Sequence, residues 1–442
     1  MPKISRRTVL RSSAAIAGAW TIGNISACKV AAPDSPVSKK IRPHPLESIE
    51  RENIKITDVK VTLLSSEIPP KERWFVSSSV CWKRDTVLVE VFTDKGIVGI
   101  GGVSMYGGPE RLKKYTEEMI KPAILGENPF DVELLTSGRI DRSGEKLGWA
   151  GVDNACWDII GKAKNLPVYK LLAREVEPNT HLRLYASAGC NYAWFKRPEN
   201  LIDEAVRLKE EGFTAYKFRG GTSWNHDNIT MKDYIPLMEK LRDAVGPDFD
   251  LMQEANMRWT LEECLKLCPV FEELKFLWFE EPTSSRGDEG IQGHIKIAEA
   301  LPTVMVACGE SRVNRFQFGE WIDRGALDIV QPDCVVCGLT EAWHIAGMAH
   351  LKGKLCCVHN WHGGLQTMAN ASIMASIPNG LIFERHTYYN GLADGVFKEP
   401  LVVRNGYMDL PDKPGFGVEL IPDIAKKFPY IPGRHVRTNP DL

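Results

Sequence analysis

Lys217 with Arg219, Glu254, Glu280, Glu310, Asp333, His359 and Glu384 follow one another at intervals of 23 to 37 residues, counted from Lys217. Each lies at or just beyond the end of a short apolar run. One strand, one helix and their loops use that much chain, so the series reads as one ionisable position per β/α unit. A lone carboxylate in such a place ordinarily caps a helix or meets solvent; a sequential series does not fit that reading. Glu254, Glu280 and Glu310 form an all-oxygen set that would repel itself and raise its own pKa values. A hard divalent cation removes the repulsion. Mg2+ suits a few carboxylates with open positions, whereas zinc favours His or Cys. Lys217 and Arg219, two residues apart on one strand face, can neutralise a substrate carboxylate. Asp333 can orient the imidazole of His359 and raise its basicity, and Glu384 can hydrogen-bond a developing enediolate. This set suits removal of a proton beside a carboxylate, a proton barely acidic in water without such stabilisation.

The elements that must position these groups are legible as rhythm. Short apolar runs at 182–188, 215–218, 251–254, 276–280, 304–308, 327–330, 355–359 and 381–384 alternate with amphipathic stretches such as 198–211, 234–245, 260–273 and 339–351. Eight strands with intervening helices predict an α/β fold with a parallel sheet closed as a barrel, and all the ionisable positions then meet at its C-terminal mouth. An open doubly wound sheet is the competitor, but no Gly-x-Gly-x-x-Gly follows the first strand. Ahead of the barrel, residues 53–178 read as a small α+β domain. Alternating strands around 56–64 and 86–92 precede a turn at Asp94–Gly96, and helices are expected over 109–120, 130–139 and 149–173. The barrel is placed at 179–388, and 389–442 as a segment packing back on the first domain.

With 442 residues, 43% hydrophobic and 25% charged, the chain has enough material for a large core. A formal net charge of -2 argues against a nucleic-acid binder held by bulk positive charge. Residues 1–27 read as an address: Lys3, Arg6, Arg7 and Arg11 precede a weakly apolar stretch, and Ser5-Arg6-Arg7-Thr8-Val9-Leu10 resembles a twin-arginine export signal. Ile25-Ser26-Ala27-Cys28 resembles a lipobox, so Cys28 is a candidate lipid anchor, the one expected link to a membrane. Periplasmic export is the expectation, with 28–52 a flexible tether. The eleven cysteines mostly sit in apolar runs and read as buried small hydrophobes. Cys334-Val335-Val336-Cys337 has redox spacing without a thioredoxin context.

The sequence resembles the enolase superfamily, and within it the mandelate racemase branch of the mandelate racemase/muconate lactonizing enzyme family. The motifs are Tyr216-Lys217-Phe218-Arg219, Glu254-Ala255-Asn256, Trp278-Phe279-Glu280-Glu281-Pro282, Gly309-Glu310, Gln331-Pro332-Asp333, Val358-His359-Asn360-Trp361 and Leu381-Ile382-Phe383-Glu384. Val152 to Ile159 resembles the helix joining the two domains, and Pro414-Gly415-Phe416-Gly417 the C-terminal signature. The resemblance spans about residues 54–420. It implies an N-terminal α+β capping domain, a modified (β/α)7β TIM-like barrel, one Mg2+ per subunit on Glu254, Glu280 and Glu310, and acid–base chemistry on a small carboxylate. A homo-oligomer is expected. Two departures carry meaning. Glu254 stands where the branch more often has Asp, a longer reach. Arg219 stands where members working on both substrate faces have Lys, and a guanidinium is a poor general base. The expected activity is therefore dehydration of a sugar acid to a 2-keto-3-deoxy acid by His359. An epimerase, racemase or cycloisomerase is the alternative, with Lys217 as second base, and a binding protein that has lost catalysis is a third reading. The loop of about 66–84 would close over the site. Its Lys71, Arg73, Trp74, Ser77 to Ser79 and Trp82 suit a polyol. Arg73, Trp82 and Asn256 are expected substrate contacts, and His362 is either a substrate contact or a packed loop residue.

Overall fold

The computed structural model describes residues 44–76, 79–141, 144–173, 176–190, 197–219 and 229–438. The expected export signal, Cys28, the tether up to residue 43, and Ser77 and Ser78 lie outside the described residues. Among the described residues no helix is long and apolar enough to cross a membrane.

The N-terminal domain is built on an antiparallel sheet of β1 (Ile56–Glu67), β4 (Lys83–Thr93) and β5 (Val98–Val103), in that order, with the short hairpin β2 (Trp74–Val76) and β3 (Ser79–Cys81) between β1 and β4. The helix Gly148–Ala163 lies on β5 at a distance that only glycine permits. A Cβ at Gly99 would meet the Ala155 carbonyl oxygen at 2.1 Å, and one at Gly101 the Gly151 oxygen at 2.0 Å. The far side of that helix packs on the barrel helix Cys334–Leu351. The Trp157 indole donates to Thr340 Oγ1 (2.9 Å), and Asn154 donates to the Cys334 carbonyl (2.9 Å). The helix expected over 149–173 breaks in two, resuming at Val168–Leu172. Asn165 takes a left-handed conformation (φ 52°), and Pro167 disfavours a helical residue before it. Residues 44–52, expected within the flexible tether, are instead held down. Lys164 pairs with Glu52 at 2.6 Å, Asn128 donates to the Glu52 carbonyl at 2.8 Å, and Leu46 and Ile49 pack on the core. Their apolar side chains, read as spacer, have a surface to bury.

Eight parallel strands form the barrel: β6 (His181–Ala188), β7 (Ala215–Phe218), β8 (Asp250–Glu254), β9 (Trp278–Glu280), β10 (Met305–Cys308), β11 (Ile329–Val330), β12 (Leu355–Cys356) and β13 (Phe383–His386). Each pairs with the next from β6 through β12, and β13 pairs with β6 from Phe383↔Leu184 to His386↔Ser187. A single parallel bridge, Cys356↔Gly380, closes the ring between β12 and the chain entering β13. Tyr185, Ala215, Met252, Trp278, Met305, Ala307, Ile329, Cys357 and Ile382 fill the interior as one apolar cluster. A period of two along each strand then decides what points inward one layer higher. Above Ala215 comes Lys217, above Met252 Glu254, above Trp278 Glu280, above Cys357 His359, and above Ile382 Glu384. The barrel is packed below and ionisable at its C-terminal mouth because the strands alternate in this way.

The remaining chain ties the two parts together. The hairpin β14 (Val403–Arg404) and β15 (Tyr407–Asp409) adds antiparallel to β6. The Phe416 amide donates to Asp158 at 2.8 Å. Finally β16 (Val436–Thr438) pairs with β3, completing a small sheet with β2 at the edge of the mouth. The described cysteines, from Cys81 to Cys357, are all free and buried. Cys334 and Cys337 open a helix, and burial pushes both thiols well above their ordinary range, which leaves no basis for the redox reading.

Candidate active site

Glu254 and Glu280 end β8 and β9, and Glu310 follows β10 by two residues. One oxygen from each carboxylate lies within 4.8 Å of the others. Glu310 cannot arrive by strand alternation alone, since it stands three residues after inward-facing Ala307. Gly309 resolves this with φ 137°, a backbone state closed to other residues. A Cβ there would also strike the Phe318 ring at 2.4 Å. Strain recurs beside the other carboxylates: Asn256 (φ 49°) and Glu281 (φ 39°) are left-handed.

Lys217 Nζ sits among three carboxylates, in contact with Glu280, 3.2 Å from Glu254 and 3.1 Å from Glu384. Burial works against its charge, but Glu254, Glu280 and Glu384 outweigh it, so its pKa lies well above the ordinary lysine value. Arg219 places Nε 2.8 Å from Glu254 and its guanidinium 4.7 Å from the Trp361 ring. Burial likewise opposes ionisation of Glu254, yet Arg219 and Lys217 hold its carboxyl below the usual range, while burial raises Glu280. Glu280 is also gripped by the Trp278 indole (2.9 Å) and the Gln331 amide (2.7 Å). Donors thus fix the second carboxylate, while Glu254 Oε2 faces Arg219 Nε and Lys217 Nζ, and Glu310 Oε2 faces His359 Nε2. An all-oxygen set of three convergent carboxylates fits a hard divalent cation such as Mg2+.

On the other side of the mouth His359 Nδ1 meets Asp333 Oδ2 at 2.8 Å, and its Nε2 lies 3.2 Å from Glu310. Asp333 caps the helix Cys334–Leu351, accepting from the Val335 amide at 3.1 Å. It also takes Gln366 Nε2 at 2.6 Å and Asn370 Nδ2 at 3.3 Å. The dyad therefore rests on a carboxylate with four donors. Burial disfavours an imidazolium, but Glu310 and Asp333 prevail and push His359 up to about 10. A cation among the glutamates would cancel much of the Glu310 field and return the imidazole toward its ordinary range. Glu384 accepts from the Asn360 amide at 2.6 Å.

The expected substrate contacts divide. Asn256 donates to Glu254 at 3.3 Å. His362 is buried 6.2 Å, ring to ring, from His359, and its Nε2 lies 3.3 Å from Ser104 Oγ. Trp82 and Arg73 have other partners. The Trp82 indole donates to the Arg434 carbonyl (2.9 Å) under the Arg437 guanidinium, and Arg73 reaches the Ile68 carbonyl (3.3 Å) and Glu67 (3.5 Å). From the same loop it is Trp74 that reaches the mouth, edge-on to Trp361 with ring centres 5.4 Å apart. Gln366 and Asn370, unmarked in sequence, lie on the helix Gly364–Ser376 after His359, one turn apart. Their spacing was a helical signal among strand-end signals.

A second group, His44, Glu133 and His344, also has metal-like composition. Its proton pattern differs. The Leu46 amide donates to His44 Nδ1 at 3.2 Å, which makes the opposite nitrogen the N–H, 3.0 Å from Glu133. Arg315 and His344 approach the same carboxylate at 2.9 and 3.0 Å. This is a carboxylate held by donors that ties the N-terminal segment to the barrel.

A capped barrel with its ionisable residues at the strand C-termini is the architecture of the enolase superfamily. Residues 59–173 match the mandelate racemase/muconate lactonizing enzyme N-terminal domain, and residues 200–424 match the enolase C-terminal domain-like family. The chain belongs to the mandelate racemase/muconate lactonizing enzyme family. It is 30% identical to the arabinonate dehydratase of Saccharolobus solfataricus, over 78% of this chain and 90% of that one. It is 29% identical to the D-galactarolactone cycloisomerase of Agrobacterium fabrum, over 85% and 99%. A crystal structure of an enolase superfamily member from Polaromonas superposes with a TM-score of 0.75 at 28% identity, covering 86% of this chain and 98% of that one.

Proposed function

We propose that the protein is a Mg2+-dependent dehydratase of sugar acids in which His359 removes the proton beside the carboxylate. The observation that carries this is the pairing of Asp333 with His359 at 2.8 Å beside the three-glutamate cluster, with both strand-face cations engaged by carboxylates. Glu254, Glu280 and Glu310 would hold Mg2+, which when bound supplies positive charge to the developing enediolate oxygens. Lys217 neutralises the substrate carboxylate. Asp333 keeps the His359 Nδ1–H toward itself, so that Nε2 faces the substrate and takes the α-proton. The same imidazolium then returns a proton to the departing β-hydroxyl, and water leaves. Arg219 remains cationic against Glu254, so a second base on its strand face would have to be Lys217, itself held as ammonium by its neighbours. That favours one-base elimination over two-base racemisation.

The similarity to a cycloisomerase, at 29% identity beside 30% for a dehydratase, supports a second reading on the same scaffold, with proton return to carbon and no loss of water. One experiment separates the two. The protein with Mg2+ and a sugar-acid panel in deuterated water should yield 2-keto-3-deoxy acids by NMR. Deuterium incorporation with no keto acid from any acid would overturn dehydration in favour of isomerisation.

A further inference from the structure

Arg84 is the second residue of β4 and only 2% exposed, yet among the described residues no carboxylate pairs with it. Its sequence neighbour Asp85 is taken by Lys83 at 3.0 Å and by Ser65 at 2.6 Å. One terminal nitrogen of Arg84 donates to the Trp361 carbonyl and lies 3.4 Å from that of His362, which fixes the guanidinium against the loop that follows His359. Among the described residues its Nε is buried with no hydrogen-bond partner, and so are Trp74 Nε1, His362 Nδ1 and both ring nitrogens of His386. These four residues adjoin Trp361, His362 as its chain neighbour. The Trp361 ring centre is 4.1 Å from that of His386 and 5.4 Å from that of Trp74, and the Arg84 guanidinium is 5.5 Å from the Trp74 ring. The patch continues into the site already described, through Arg219 over Trp361 and through His362 beside His359.

An unpaired buried polar atom is costly unless something occupies it. Five such atoms on four residues beside one tryptophan point to a receptor for a polar group. Its character is set by what the atoms can do. Arg84 Nε–H and Trp74 Nε1–H only donate, and each neutral imidazole donates through one nitrogen at most. The patch is rich in donors and carries a buried guanidinium that, among the described residues, no carboxylate pairs with. The matching ligand is an oxygen-rich anion.

We propose that this patch binds a second carboxylate at the far end of the substrate, so that the sugar acid is an aldaric acid, a dicarboxylate, and not an aldonic acid. Arg84 is then the specificity-determining residue. This rests on the reading of the mouth as a proton-abstraction site. One carboxylate lies at Lys217 and the glutamates, the other at Arg84 and Trp74, with the hydroxyls between. A planar guanidinium matches a carboxylate in both shape and charge.

The test compares aldonate and aldarate pairs of matched configuration, gluconate with glucarate and galactonate with galactarate, on the Mg2+-loaded full chain. Turnover is followed by α-proton exchange and binding by calorimetry. The better aldarate should exceed its aldonate at least about tenfold in kcat/KM, because a buried charge pair is made or left unmade. Arg84→Met should raise KM and Kd for that aldarate at least about tenfold more than those for its aldonate, and Arg84→Lys should recover part of the loss. Equal turnover of both members of every pair, or an Arg84→Met variant that weakens aldonate and aldarate alike, would overturn the proposal while leaving the proton-abstraction reading intact. Aldarate binding that depends on Arg84 without any exchange would overturn that reading and keep the Arg84 site.

Discussion

At the scale of single residues, the proposed chemistry divides between His359 and Glu280. General acid–base catalysis of this kind contributes about 10²- to 10⁴-fold. His359→Asn should therefore lower kcat by at least about a hundredfold with KM little changed, measured by steady-state kinetics on the best acid of the panel. Near-normal turnover would move the base to Lys217. Glu280→Gln addresses the cation through stability. A ligand at a hundredfold its Kd stabilises the native state by about 2.7 kcal/mol, so Mg2+ should raise the Tm of the wild type and chelation should lower it again. The variant should unfold at the same temperature with and without Mg2+. Sequence types and spacing marked both residues. They did not mark Gln366 or Asn370, because a neutral amide carries no signature until the fold places it against Asp333.

At the scale of elements, the strand period explains why the marked residues meet. Lys217, Glu254, Glu280, His359 and Glu384 each stand two residues above an apolar barrel plug, so a shift of one residue in any strand would turn its group out of the mouth. Glu310 is the exception, and Gly309 makes it possible. Gly309→Ala should destabilise the protein by about 3 kcal/mol, the sum of a forbidden φ and a clash with Phe318. It should also lose most activity. Urea titration and kinetics on the same preparation check both, and a loss of activity with unchanged stability would mean that the backbone at 309 is not strained. The sequence contained Gly309-Glu310 as a motif, but the reason for the glycine is a ring on another element.

The whole molecule is held across its two parts by the helix Gly148–Ala163 against Cys334–Leu351 and by β16 against β3. A chain ending at residue 433 lacks β16. It should keep its helical circular dichroism while hydrogen exchange of the Val80 and Trp82 amides rises, with KM increased as Trp74 loses its support. Unchanged exchange would show that the hairpin stands without the tail. Stability should also carry an acid limb. Burial holds His294 down to about 4, against the hydrogen bond between its Nδ1 and the Gly290 carbonyl at 2.8 Å. The unfolded chain binds a proton there near pH 6.5 and the native protein only near 4, so native stability falls as pH drops through that window, by about 3 kcal/mol in full. In denaturant titrations between pH 4 and 7, His294→Leu should show a flatter acid limb than the wild type by that amount. Parallel limbs would mean that this imidazole is not the group.

From the sequence alone came the barrel, its cap, and seven of the ionisable strand-end positions with their order around the mouth. Charge at regular intervals and apolar runs of strand length survive any detail of packing. Tertiary structure decided what regularity cannot carry. Residues 44–52 became anchored because the domain junction offers them a surface. Trp82 and Arg73 were drawn to the C-terminal tail and to their own loop, while Trp74 and Arg84 took the mouth. Within one polar loop, composition says that side chains are suited to a polyol. Which of them face it depends on the path of the backbone and on what else competes for each donor. That competition is fixed by contacts hundreds of residues apart, such as Trp82 with Arg434 or Arg84 with Trp361, which no local pattern encodes.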